Sequence, residues 1–133
     1  MGYFKKGVGF TFQVSRFIMM RRLERVQELI HHQIGDLAAR YVREAGTIVT
    51  FTRVEVAPNL RGARIFFVAY PSEKIPGVLV RLQKSAPFLQ HELNKRLNMR
   101  PVPRIVFAID RQEEEAAKVE DILRELEIDK KSK

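Results

Sequence analysis

Three histidines, a run of carboxylates and a set of closely spaced arginines and lysines are the residues of this chain that could carry chemistry. His31 and His32 are adjacent and therefore point in different directions on a helix, while His91 stands apart. No HExxH or related ligand spacing joins them, so they read as surface histidines rather than a metal centre. Gly7 and Gly9 make a bare GxG without a third glycine or a preceding strand, which supports no dinucleotide or phosphate loop. Ser15, Ser72, Ser85 and Ser132 lie outside any nucleophile-elbow pattern. The acids after Asp110 sit where a helix would begin, and carboxylates in a first turn are favoured by the helix dipole without any metal. The chain has no cysteine, which removes disulfides, thiolate ligands and cysteine nucleophiles. No acid–base, nucleophilic or metal constellation is left, and the expectation is a non-enzyme with no cofactor, no metal and no small-molecule substrate.

The cations are more informative. On an ideal helical wheel Arg81, Lys84 and Lys95 fall together, with Arg96 beside them, opposite an apolar stripe. Arg100 and Arg104 extend the same end of the structure. Groups of this kind neutralise phosphates and release condensed counterions, which is the chemistry of nucleic-acid binding. An ordinary solvated helix face and an anionic membrane surface are the competing explanations.

The elements that must position these side chains follow from composition and period. A chain of 133 residues with 45% apolar content can bury one core. The net charge of +8 divides into +4 over residues 1–46, +6 over 47–110 and −2 over 111–133, so the excess is centred on the folded middle. No run of about 18 apolar residues is present to span a bilayer, and a cytoplasmic protein without a membrane partner is expected. Residues 1–15 show neither helical nor strand period and read as a flexible arm, with a domain over 16–127 and a frayed basic tail over 128–133.

Leu23, Val26, Ile30, Ile34, Leu37, Tyr41 and Val42 recur at three-or-four spacing and predict one amphipathic helix from Arg16 to about Ala45, ended by Gly46. Ile48 to Val56 and Ala63 to Tyr70 predict two paired strands around the turn residues Pro58 and Asn59. In the second strand apolar residues occupy both phases, so alternation does not choose the buried face. Phe66, Val68 and Tyr70 could form an outer apolar surface for a partner. A stripe from Ile75 through Leu82, Leu89 and Leu93 to Leu97 predicts helix across Pro87, and the internal proline predicts two helices meeting at an angle near Ser85. Arg104 to Ile109 predicts a third strand. Asp110 with Glu113 predicts a capping box for a last helix that places Ala116, Val119, Leu123 and Leu126 on its apolar side.

In this order the elements make an α+β fold, and the chain resembles the ribosome-binding factor A family over about residues 20–124. The resemblance rests on Arg-Val-Gln-Glu-Leu-Ile from Arg25 and Val-Glu-Val-Ala-Pro-Asn-Leu from Val54 to Leu60. It continues with Ala-Arg-Ile-Phe-Phe-Val from Ala63 and Phe-Leu-Gln-His-Glu-Leu-Asn-Lys-Arg-Leu from Phe88. Val-Pro-Arg-Ile-Val-Phe from Val102, together with Asp110, completes it. It implies a KH-like fold of type II, with a three-stranded mixed sheet and helices on one face. It also implies binding to 16S rRNA and to the free small (30S) subunit, in late maturation and 5′-end processing, by a protein expected to act as a monomer.

That family replaces the GxxG loop of ordinary KH domains by an Ala-x-Gly helical kink. No GxxG occurs here, and the corresponding residues read Ser85, Ala86 and Pro87. The expected RNA-binding set is therefore Arg81, Lys84, Ser85, Ala86, Pro87, Lys95, Arg96, Arg100 and Arg104. A stand-alone KH-type domain for single-stranded RNA and a small RNA-processing enzyme are the alternatives.

Overall fold

The computed structural model describes residues 2–131, with side chains from 13 to 127 apart from 114, 117 and 121. Helix α1 runs over Gly2–Tyr41, strand β1 over Ile48–Val56 and strand β2 over Gly62–Tyr70. A short 3-10 turn at Ser72–Lys74 leads into helix α2, Ile75–Arg96, followed by strand β3, Arg104–Ile109, and helix α3, Arg111–Lys131. The sheet order is β1-β2-β3, with β1 and β2 antiparallel and β2 and β3 parallel. This is the α+β architecture with a three-stranded mixed sheet that the sequence predicts.

Helix α1 continues from Gly2, so residues 2–15 extend it instead of forming the expected separate arm, and Met1 lies outside the described residues. Of the tail expected over 128–133, Lys131 still belongs to α3, whereas Ser132 and Lys133 lie outside the described residues. At its other end α1 stops at Tyr41, before the expected limit at Ala45. Gly46 takes φ +78 within the turn that follows, where Thr47 N–H donates to Glu44 O at 3.2 Å. The glycine therefore shapes entry into β1, a left-handed conformation that a side chain would strain, and does not cap the helix.

Ile30, Ile34 and Leu37 of α1, Ile65 and Phe67 of β2, and Leu82, Leu89 and Leu93 of α2 are fully buried together. This settles the phase of β2. Ala63, Ile65, Phe67 and Ala69 face the helices, and Arg64, Phe66, Val68 and Tyr70 face the other way. Phe66 is nevertheless buried, because the Arg53 guanidinium lies 4.0 Å from its ring centroid and Arg64 lies 6.0 Å away. Two cations of the same sheet thus shield the ring expected to belong to an outer apolar surface for a partner. Tyr70 remains open to solvent.

Strand β1 is an edge strand, and α1 covers part of its free edge. Gln27 Oε1 accepts from Val56 N–H at 3.1 Å, and one turn later His31 Nε2 donates to Phe51 O at 2.6 Å. His31 is thus half-buried and structural, a correction to its reading as a surface residue.

Helix α2 is one element through Ser85, Ala86 and Pro87 and not the two helices expected. Proline removes one backbone donor, but Leu82 before it and Leu89 and Leu93 after it are all fully buried against the same core. Burial of each such side chain is worth roughly 1.5–3 kcal/mol, which holds both halves of the helix on the sheet.

Candidate nucleic-acid interface

The cations singled out on α2 and beyond it separate into two groups once the chain is folded. Helices α1 and α2 pack so that Tyr41 meets Phe88 edge-on, with ring centroids 4.9 Å apart. On either side of this contact an arginine of α2 reaches across. Arg81 Nη1 pairs with Glu44 Oε2 at 3.2 Å, and Arg96 Nη1 reaches Asp36 Oδ2 at 2.6 Å and Gln33 Oε1 at 3.0 Å. The Arg96 hydrogen bond, helped by Arg40, holds the Asp36 carboxyl below the usual carboxylate range despite the opposing effect of desolvation. Lys95 pairs along its own helix with Glu92 at 3.4 Å. Three of the predicted contacts therefore already have carboxylates as neighbours.

Lys84, Arg100 and Arg104 are exposed and have no ion-pair partner among the described residues. Lys84 stands on the outer ridge of α2, near exposed Pro87, while Ser85 and Ala86 are half-buried and contribute more to packing than to the surface. Arg100 and Arg104 lie where the end of α2 meets the start of β3, lining a notch with Gln90, Asn94, Pro101 and Val102. Gln90 builds this junction. Its amide nitrogen donates to Pro103 O at 3.0 Å and to Asn94 Oδ1 at 3.1 Å, and its amide oxygen accepts from Ile105 N–H at 2.8 Å. The two arginines are thus carried on a fixed corner of the fold.

Two further arginines, absent from the predicted set, join this corner. Arg61 O accepts from Arg104 N–H at 2.9 Å, and Gly62 pairs with Arg104 in the parallel ladder. Arg64 lies two residues further along β2 on the outer face, opposite Val106. Neither Arg61 nor Arg64 has an ion-pair partner among the described residues. The signal that could have found them was the Arg61-Gly62-Ala63-Arg64 run at the start of β2, but only the parallel pairing of β2 with β3 brings it beside Arg104. Four arginines without an ion-pair partner among the described residues can bind several phosphate oxygens, with planar forks suited to that geometry.

The opposite end of the sheet has different chemistry. The Asp110 carboxylate is buried and accepts from Thr52 Oγ1 at 2.6 Å and Arg53 Nε at 3.3 Å, while its other oxygen accepts from Glu113 N–H at 3.2 Å. The Thr52 hydroxyl hydrogen bond, with the Glu113 amide and the Arg53 charge, outweighs desolvation and lowers the Asp110 pKa. Thr52 is the residue left unpaired by the irregularity between Phe51 and Arg53 in the β1–β2 register. Asp110 thus caps α3 and also fastens the bulge, but only its half of the expected capping box forms, because Asp110 N–H donates to Phe67 O at 2.8 Å and not to the Glu113 side chain. Every one of its contacts is structural, so it is not a free general acid or base. No group of three or more His, Cys, Asp or Glu residues that could hold a metal occurs among the described residues, and none of their helices is long and apolar enough to cross a membrane.

Comparison with known proteins bears on the family and the fold. A protein from Prochlorococcus marinus (strain NATL1A) named ribosome-binding factor A is 37% identical over 117 residues, covering 85% of this chain and 95% of its own. The ribosome-binding factor A of Syntrophus aciditrophicus is 34% identical over 108 residues, covering 80% and 88%. The crystal structure of ribosome-binding factor A from Thermus thermophilus superposes with a TM-score of 0.51 at 19% identity, covering 69% of this chain and 94% of that one, and shows the shared fold. The family model described as ribosome-binding factor A matches residues 22–123, a span that takes in the core of α1, the whole sheet, α2 and the first half of α3. With the sequence match over that span and the fold in agreement, the chain belongs to the ribosome-binding factor A family.

Proposed function

We propose that this protein binds the immature small (30S) ribosomal subunit by docking its basic corner on 16S rRNA, and that it assists late maturation and 5′-end processing of that RNA. It acts as a cytoplasmic monomer and without catalysis, holding a conformation of the immature subunit while other factors act. The observation that carries the reading is the placement of Lys84, Arg100 and Arg104 at the surface with no ion-pair partner among the described residues, and of Arg61 and Arg64 beside Arg104, in a chain of net charge +8. The names of the relatives, ribosome-binding factor A, support the ribosome as the partner. Arg81, Lys95 and Arg96 stay in the proposed contact set. Their ion pairs are partly exposed, and such pairs exchange readily for phosphate contacts. Ser85, Ala86 and Pro87 stay in the set as the stretch of α2 beside Lys84, with Pro87 exposed and Ser85 and Ala86 half-buried.

Association with purified free small subunits, measured against salt concentration, tests the proposal. The triple variant Lys84→Ala, Arg100→Ala, Arg104→Ala should bind more weakly and show a salt slope lower by about 0.7–0.9 for each phosphate contact removed. Unchanged affinity and slope would reject this surface. An unstructured RNA oligonucleotide competing as well as the subunit would instead favour a general single-stranded RNA binder.

A further inference from the structure

Helix α3 leaves its apolar side more than half exposed. Val119, Ile122, Leu123 and Leu126 are spaced as one face of a helix, and each is between 55% and 56% exposed. Its described attachment to the rest of the chain is at the N-terminal end, where Asp110 accepts from Glu113 N–H. On an ideal helix Glu113, Glu120 and Glu127, seven residues apart, form a row along one flank of that stripe. Glu120 pairs with Arg124 at 3.8 Å, both side chains largely exposed, and three glutamates beside that arginine leave the row net acidic. In the sequence, residues 111–133 carry a net −2 in a chain of +8.

We infer that α3 is a docking helix for a protein, one that presents an apolar groove with lysine or arginine along its rim. Charge decides between the two classes of macromolecule. An RNA surface would be repelled by the carboxylate row and would offer the aliphatic stripe nothing to bury against. A cationic protein groove satisfies both, because four aliphatic side chains enter as helix-in-groove anchors and the row of glutamates meets basic side chains at the edge. The molecule therefore has two faces of opposite charge, a basic corner for RNA and an acidic helix for a basic protein held on the same particle. The inference rests on the small-subunit reading for the place where that protein resides.

The test uses the full chain with Ile122→p-benzoylphenylalanine, irradiated in complex with purified free small subunits. Position 122 is outside the core, and Val119→p-benzoylphenylalanine gives an independent second probe. The expected product is an adduct to a basic subunit protein that survives ribonuclease and is reduced at least five-fold when Glu113→Lys, Glu120→Lys and Glu127→Lys are combined. Co-sedimentation with an adduct on rRNA, on a second copy or on the chain's own sheet, or with no adduct from either probe, would overturn the inference and leave the small-subunit reading in place. Failure of the unsubstituted chain to co-sediment would overturn both.

Discussion

Helices α2 and α3 have almost the same length, 22 and 21 residues, and both carry apolar side chains at three-or-four spacing, yet the fold uses them in opposite ways. In α2 the stripe of Leu82, Leu89 and Leu93 is fully buried, whereas in α3 Val119, Ile122, Leu123 and Leu126 each stay more than half exposed. The cause is connectivity. Helix α2 joins two parallel strands and must cross the sheet to do so, which presses its apolar side onto the core. Helix α3 follows the last strand and is anchored by Asp110 at one end, with no second strand to draw it across. A helical apolar period therefore reports that a helix has an apolar side, and topology decides what that side meets.

The sharpest way to break this comparison is to shorten one leucine in each helix and follow urea denaturation. Leu89→Ala should lower stability by about 2–5 kcal/mol, as expected for a cavity in a packed core. Leu123→Ala should stay within about 0.5 kcal/mol, as for an exposed position. A loss in Leu123→Ala comparable to that in Leu89→Ala would mean that α3 is packed in solution.

An intermediate effect is expected at the anchor itself. Asp110→Asn removes a charge that serves Thr52, Arg53 and the α3 cap at once, and should cost about 1–3 kcal/mol. Because the folded pKa of Asp110 is depressed, its contribution is complete above the unfolded value of about 3.9 and fades as pH falls through the folded value. The parent chain should therefore lose more stability than Asp110→Asn on acidification below about pH 4. Equal acid sensitivity of the two proteins would show that another group governs it.

A smaller change than at the anchor is expected for Arg96→Ala, which opens a clasp between α1 and α2 at a partly exposed site. Its denaturation midpoint should shift less than that of either Leu89→Ala or Asp110→Asn. A shift as large as that of Leu89→Ala would show that the α1–α2 clasp carries as much of the stability as the α2 stripe does.

Much of this fold is legible along the chain because it depends on local period. The helix from Arg16, the strands from Ile48 and Arg104, the stripe of α2 and the Asp110 cap all follow from residues a few positions apart. Pro87 misleads because a missing hydrogen bond is a local loss, whereas the leucines that keep α2 whole act through the sheet. Residues 1–15 mislead in the opposite sense, being helical from Gly2 despite an irregular apolar pattern.

The candidate interface divides in the same way. Net charge and the grouping of Arg81, Lys84 and Lys95 are properties of composition and spacing, so the sequence by itself determined the basic balance from which a polyanionic partner is expected. Which cations remain available was decided only by tertiary structure. The carboxylate that engages Arg96 is Asp36, 60 residues away, and the backbone carbonyl that brings Arg61 beside Arg104 is joined to it through parallel strand pairing. Charge is additive along a chain, but whether a charge is neutralised depends on a neighbour within a few ångströms, and folding alone supplies that neighbour.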